Sequence, residues 1–117
     1  MVVIKFGSSR CGPCEDDWLQ MHGIPGNFKD KPVVFLYMQI DGEKASAPEG
    51  SGYVAIDKQW ETAAIFGISV FPTHIVIDQE GIIRWKAKGA DRHNASELIK
   101  VIASTLAKVE NGGKNEE

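Results

Sequence analysis

The chain has 117 residues, 43% hydrophobic and 25% charged, which suffices for one domain with its own core and no staples. A formal net charge of -3, with no segment gathering Lys and Arg, argues against a nucleic-acid partner. No apolar stretch approaches the roughly 20 residues that span a bilayer, and Val2 to Ile4 is too short for the apolar part of a secretory signal.

Val2-Val3-Ile4-Lys5-Phe6 reads as a strand closed by Gly7-Ser8-Ser9. A chain that opens directly on a core strand predicts further native sequence ahead of it. A helix is expected from about Gly12, with Pro13 tolerated in its first turn and Trp18, Met21 and His22 at helical spacing. Gly23 and Ile24-Pro25-Gly26 end it. Val33 to Ile40 is almost continuously apolar, as befits a central strand covered on both faces. Gly42 to Ser51 is polar and rich in Gly, Ser and Pro, and reads as a long surface loop. A second helix is predicted from about Asp57 to Phe66, ending at Gly67. Thr73 to Asp78 and Ile82 to Ala87 are strands joined through Gln79-Glu80-Gly81 as a hairpin. Asn94 to Glu97 has the form of a capping box opening a last helix, whose Leu98, Ile99, Ile102, Leu106 and Val109 share one face. Asn111 to Glu117 is expected to fray. The crossover makes the first two strands parallel and the hairpin adds antiparallel ones, so the class is α/β with one mixed sheet.

The chain has two cysteines, both in Cys11-Gly12-Pro13-Cys14. A bridge closing so small a loop removes little chain entropy, so chemistry explains the pair better than stability does. Exchange requires a thiolate, and a free cysteine with a pKa near about 8.5 is mostly protonated at neutral pH. Cys11 falls where a strand ends and a helix begins, in the positive field of unpaired N–H groups. Cys14 lies one turn on, placed to attack a mixed disulfide formed at Cys11. The competing reading is a zinc site, but His22, His74 and His93 do not pair at ligand spacing, and four ligands are needed.

The segment Phe6-Gly7-Ser8-Ser9-Arg10-Cys11-Gly12-Pro13-Cys14 resembles the thioredoxin active-site segment, and Val70-Phe71-Pro72-Thr73 resembles the cis-proline loop of that family. The similarity covers roughly residues 2 to 109, without the family's usual first strand and helix. The loop at Gly42 to Ser51 and the Pro-Thr-x-x-x-Ile-Asp-x-x-Gly pattern are closer to the TlpA/ResA-like branch. The resemblance implies a thioredoxin fold, a mixed four-stranded sheet flanked by helices in the order β-α-β-α-β-β-α, over residues 1–110, with 111–117 a disordered tail. It further implies Cys11 as nucleophile, Cys14 as resolving thiol and a cis Phe71–Pro72 bond packed against the pair. Gly-Pro between the cysteines is typical of the family's reductases of protein disulfides. The implied partners are a protein disulfide substrate and a thiol electron-donor protein, with no cofactor, metal or nucleic acid, and the chain itself acting as a monomer. Relatives in this branch are usually extracytoplasmic, in the bacterial periplasm, and meet the membrane only through an N-terminal segment absent here.

Three departures stand out. Arg10 replaces the Trp that usually precedes the first Cys, and Gly7 replaces an aromatic. Lys5 stands where many members bury an acid, and Glu15-Asp16-Asp17 follows the second Cys in place of a basic residue. Arg10 favours a Cys11 thiolate and either takes part in substrate choice or is a solvated surface charge, whereas the three carboxylates oppose the thiolate and suit the start of a helix. Lys5 either acts as a base that tunes Cys14 or carries its ammonium to the surface. His74 is expected to pack in the sheet with one hydrogen bond, and His22 and His93 to lie at the surface. Trp18, Trp60 and Trp85 read as packing, with a peptide-binding rim as the alternative, and Tyr53 as a candidate substrate contact. A redox-inactive thioredoxin-like module that binds protein through the same groove is the other functional reading.

Overall fold

In a computed structural model, which describes residues 1–44 and 51–115 (109–115 by backbone alone), the first strand, β1 (Val2–Gly7), takes the middle of the sheet. On one side lies β2 (Val34–Gln39), parallel to it, and then β3 (Tyr53–Ile56), parallel to β2. On the other side β4 (Thr73–Ile77) and β5 (Ile83–Lys88) add an antiparallel hairpin. Among the described residues the sheet therefore has five strands, in the order β3-β2-β1-β4-β5, not four. The fifth is Tyr53–Ile56, whose backbone pairs Leu36 to Gln39 and covers an edge that β2 would otherwise leave open. It is too short for its periodicity to be read from sequence.

Alternation along β1 sorts its side chains onto two layers. Val3 joins Val76 in a cluster with Met21, Ile24, Leu98, Ile102 and Leu106. These come from α1 (Gly12–Met21), the one-turn α2 (Ile24–Asn27) and α4 (Asn94–Asn115), which share that face. Ile4 and Phe6 point the other way, to Met38, Ile40, Ala63, Ile68 and Ile75, the side of α3 (Glu61–Ile65).

The helix expected over Asp57 to Phe66 is broken. Lys58–Trp60 is a 3₁₀ turn, and Gln59 and Trp60 hold left-handed φ values of 57° and 59°. The buried Asp57 carboxylate then caps α3 from upstream, accepting from Thr62 N and Ala63 N at 2.7 Å each. Gly67 ends the helix with a positive φ, as expected. The capping box at Asn94 is not formed as read. Asn94 is buried as the first residue of α4, and its side-chain amide donates to the Gly89 carbonyl at 3.0 Å. The same helix runs to Asn115, into the stretch 111–117 expected as a tail, because each residue added to a nucleated helix gains a backbone hydrogen bond. Most of the loop read at Gly42 to Ser51 (45–50), and residues 116–117, lie outside the described residues.

Candidate functional site

The two cysteines sit where β1 hands the chain to α1. Cys11 is the N-cap of α1, and its Sγ accepts from the Cys14 backbone N–H at 3.1 Å. The pair is joined as a disulfide with Cα atoms 5.1 Å apart. Cys14 is buried at 5% exposure against the sheet, while Cys11 is half-buried at the helix mouth. Pro13 occupies the first turn, where a missing N–H costs nothing.

The turn ahead of Cys11 is pinned by a residue that the sequence did not mark. Asp41, just past β2, accepts from Ser9 N at 2.9 Å, Ser9 Oγ at 2.6 Å and Ser8 Oγ at 3.1 Å. Burial pushes the Asp41 carboxyl up, but the bonds from Ser9 and Ser8 and the charge of Arg10 hold it below the ordinary value. Arg10 is exposed, and part of its field is spent on Asp41. Gly7 has its own reason: a methyl there would come within 2.8 Å of Tyr37 Cζ, so the Tyr37 ring occupies the space that a side chain at position 7 would need.

Beneath the cysteines three polar side chains line up across adjacent strands. Lys5 of β1 is in register with Tyr37 of β2 and with His74 of β4. Lys5 does not reach out to solvent. Its Nζ lies 2.8 Å from Asp17 Oδ2, 3.4 Å from the Cys14 carbonyl oxygen and 5.5 Å from the centre of the Tyr37 ring. His74 packs in the sheet as expected, and its Nε2 meets both Asp17 oxygens at 2.9 Å. Asp17 is 2% exposed, so it is not helix-start surface chemistry as the acidic run suggested; that reading fits the exposed Glu15 and Asp16 only. The signal was present in the spacing. Cys14, Asp17, Trp18 and Met21 fall at i, i+3, i+4 and i+7, the inward stripe of α1.

At the same end of the sheet, the Phe71–Pro72 bond is cis and Pro72 is fully buried. Thr73 pairs with Phe6, so Pro72 comes level with Gly7 as β1 leaves the sheet. Gly89 N donates to the Pro72 carbonyl at 2.7 Å, and Thr73 Oγ1 to the Val70 carbonyl at 2.7 Å. Trp60, 46% exposed, meets Phe71 edge-on with ring centres 5.3 Å apart. Trp85 packs at the core beside His74, and Trp18 stacks on His22, so neither belongs to that rim. Tyr53 is not gathered to the cysteines: it lines a groove with Pro25, Phe28 and Lys29 near the start of β2. His22 and His93 are exposed, as expected.

Among the described residues, three carboxyls are held below the ordinary 3.8. Burial raises Asp17, but His74 and Lys5 together bring it down. Asp78 is lowered first by the Ile82 N–H, then by Arg84 and Glu80 N, and Asp41 as described. A carboxyl with a depressed folded value stabilises the fold above its unfolded value, and that contribution is lost as pH falls through the folded one. Thermal melts are therefore expected to hold their midpoint above pH about 4 and to lose it progressively below. Asp17→Asn should flatten that acid slope, since the amide does not titrate.

No family model matches the chain. It is 26% identical over 108 residues to the thiol-disulfide oxidoreductase ResA of Bacillus thuringiensis subsp. konkukian, an alignment covering 86% of this chain. The chain spans 62% of the length of that relative. Among solved structures, a Chlorobium tepidum chain assigned as the thiol:disulfide interchange protein DsbE superposes with a TM-score of 0.78. It is 23% identical, over 90% of this chain and 79% of that one, and speaks for the fold. The pneumococcal exposed lipoprotein thioredoxin of Streptococcus pneumoniae superposes with a TM-score of 0.63 at 25% identity, over 85% of this chain and 82% of that one. Among the described residues no helix is long and apolar enough to cross a membrane. With a C-x-x-C pair at the mouth of α1 and a cis-proline loop level with it, the chain has a thioredoxin-like fold and is similar to thiol-disulfide oxidoreductases of the ResA/TlpA-like kind.

Proposed function

We propose that the chain reduces or exchanges disulfides of protein substrates through a mixed disulfide. The Cys11 thiolate attacks one sulfur of the substrate bridge, and the other substrate sulfur leaves as a thiolate and takes a proton. Cys14 then gives up its proton and attacks Cys11 Sγ, releasing the second substrate thiol and forming the Cys11–Cys14 disulfide. Two electrons have passed to the substrate, and a partner dithiol protein returns them. The observation that carries this reading is the unequal exposure of the pair at the N-terminus of α1, with Cys11 half-buried and Cys14 5% exposed.

Phe71, turned outward by its cis bond to Pro72 beside the cysteine turn, would pair through its backbone with an extended substrate, and exposed Arg10 would favour acidic neighbours of its cystine. The reading has the chain act as a monomer, outside the cytoplasm, on protein and not nucleic acid. The words "exposed lipoprotein" in the name of the pneumococcal relative support that location. Turbidity of insulin reduced by dithiothreitol tests the activity. The chain should accelerate it catalytically, and brief iodoacetamide treatment of the reduced chain should label Cys11 before Cys14. No acceleration would return the reading to an idle protein-binding module, and labelling of Cys14 first would reverse the two roles.

A further inference from the structure

Of the three polar side chains joined under the active-site helix, Lys5, Asp17 and His74, one borders the cavity that the two cysteines line. A cavity of about 250 Å³ is lined by Cys11, Cys14, Lys5, Ser8, Ser9, Glu15, Trp18 and Tyr37. Lys5 borders it; Asp17 and His74 do not. Both Asp17 oxygens lie 2.9 Å from His74 Nε2, and one lies 2.8 Å from Lys5 Nζ. The carboxylate is thus arranged to hold a cation in place, with its own lone pairs turned to that task. Resting on the exchange chemistry above, we propose that Lys5, positioned by Asp17 and His74, stabilises the Cys14 thiolate by its positive charge during resolution, and that no carboxylate accepts the Cys14 proton.

In that step the Cys14 proton leaves to water in the cavity. The Cys14 sulfur bonds to Cys11 Sγ, the Cys11–substrate bond breaks, and its electron pair departs with the substrate sulfur, which is then protonated. Charge does not change across the step, so a fixed cation suffices and no proton store is needed. An acid held below its ordinary value by His74 and Lys5, against the upward push of burial, is also a poor base. The charged and titratable groups that face Lys5 are Asp17 and Cys14 from α1, Tyr37 from β2 and His74 from β4, with Glu15 across the cavity. Trp18, whose buried Nε1 has no hydrogen-bond partner among the described residues, also lines the cavity.

The two roles for Asp17 are separable, because only loss of a base would leave Asp17→Asn with a more ionised Cys14 and yet slower release of the mixed disulfide. In the reduced chain carrying Cys11→Ser, Cys14 is the one thiol, and its ultraviolet thiolate absorbance against pH reports its ionisation without any turnover. Lys5→Met should raise the Cys14 pKa by about one unit or more, seen also as roughly tenfold slower alkylation at neutral pH. Lys5→Arg should restore most of it. Asp17→Asn should lower the Cys14 pKa, because the cation loses its counter-charge while the amide keeps hydrogen bonds to its neighbours. A Cys14 pKa that rises in Asp17→Asn, or is unmoved by Lys5→Met, overturns the proposal. If Asp17→Asn does not fold, the Lys5 pair of variants decides alone. Should the wild-type chain fail with insulin while Cys14 still follows the charge at position 5, the exchange function falls and the charge assignment stands.

Discussion

Cys11→Ser is expected to bring dithiothreitol-driven insulin reduction down to the rate of dithiothreitol alone, a loss of at least about a thousandfold in the catalysed part. A serine hydroxyl has almost no anion at neutral pH and forms no bond to sulfur that the cycle can use. Cys14→Ser should behave differently although it is also inactive over many turnovers. Its Cys11 still attacks, but nothing inside the protein releases the product, so the chain accumulates as a covalent adduct. Non-reducing gels or intact mass measure this directly after brief mixing with an oxidised protein substrate. Cys14→Ser should shift by the mass of the partner, and Cys11→Ser should not. An adduct on Cys11→Ser and none on Cys14→Ser would exchange the roles given to the two sulfurs.

Asp17→Ala should be the most damaging change among the three consecutive carboxylates, at a cost of about 3 kcal/mol. It leaves the Lys5 ammonium and the His74 ring, 12% and 3% exposed in their side chains, without the group that both contact. The lower end of the usual range for a broken buried ion pair applies, because Lys5 borders the cysteine cavity and can recover some water there. Against a total stability of about 5–15 kcal/mol for a domain of this kind, the urea midpoint should fall visibly. Glu15→Ala and Asp16→Ala, on the exposed side of the same helical turn, should stay within about 0.5 kcal/mol of the parent. Equal losses at all three positions would mean that the helix dipole, and not the buried network, sets their worth.

How much of this was legible in the sequence depends on how local each cause is. The cysteine turn and the proline loop were readable because their chemistry lies within a few consecutive residues, Phe6 to Cys14 and Val70 to Thr73. The hairpin of β4 and β5 was readable because its strands and its glycine turn are contiguous. β3 was not, since Tyr53–Ile56 becomes a strand only by pairing with the edge of β2. The break at Gln59 and Trp60 carries no glycine to announce its left-handed backbone. Asp41 was missed because its bonds to Ser8 and Ser9 span more than thirty residues. Asp17 was hidden by composition: read as one of three acids it suits a helix start, read by its spacing from Cys14 and Met21 it belongs inside.

The central place of β1 has a consequence for how a partner must approach. A strand bonded along both flanks opens to solvent only when the sheet itself comes apart, so it belongs to the last part of the molecule to loosen. The reactive sulfurs hang directly from its end, with Asp41 bracing the intervening turn from β2. Cys11 is therefore a fixed point, and the protein does little bending to meet what it reacts with. Under the proposed exchange, the adjustment would fall to the other molecule, which would have to present its cystine on a segment slack enough to be drawn across a rigid ledge. Such a site selects among disulfides by the looseness of the chain around them as much as by the residues beside them.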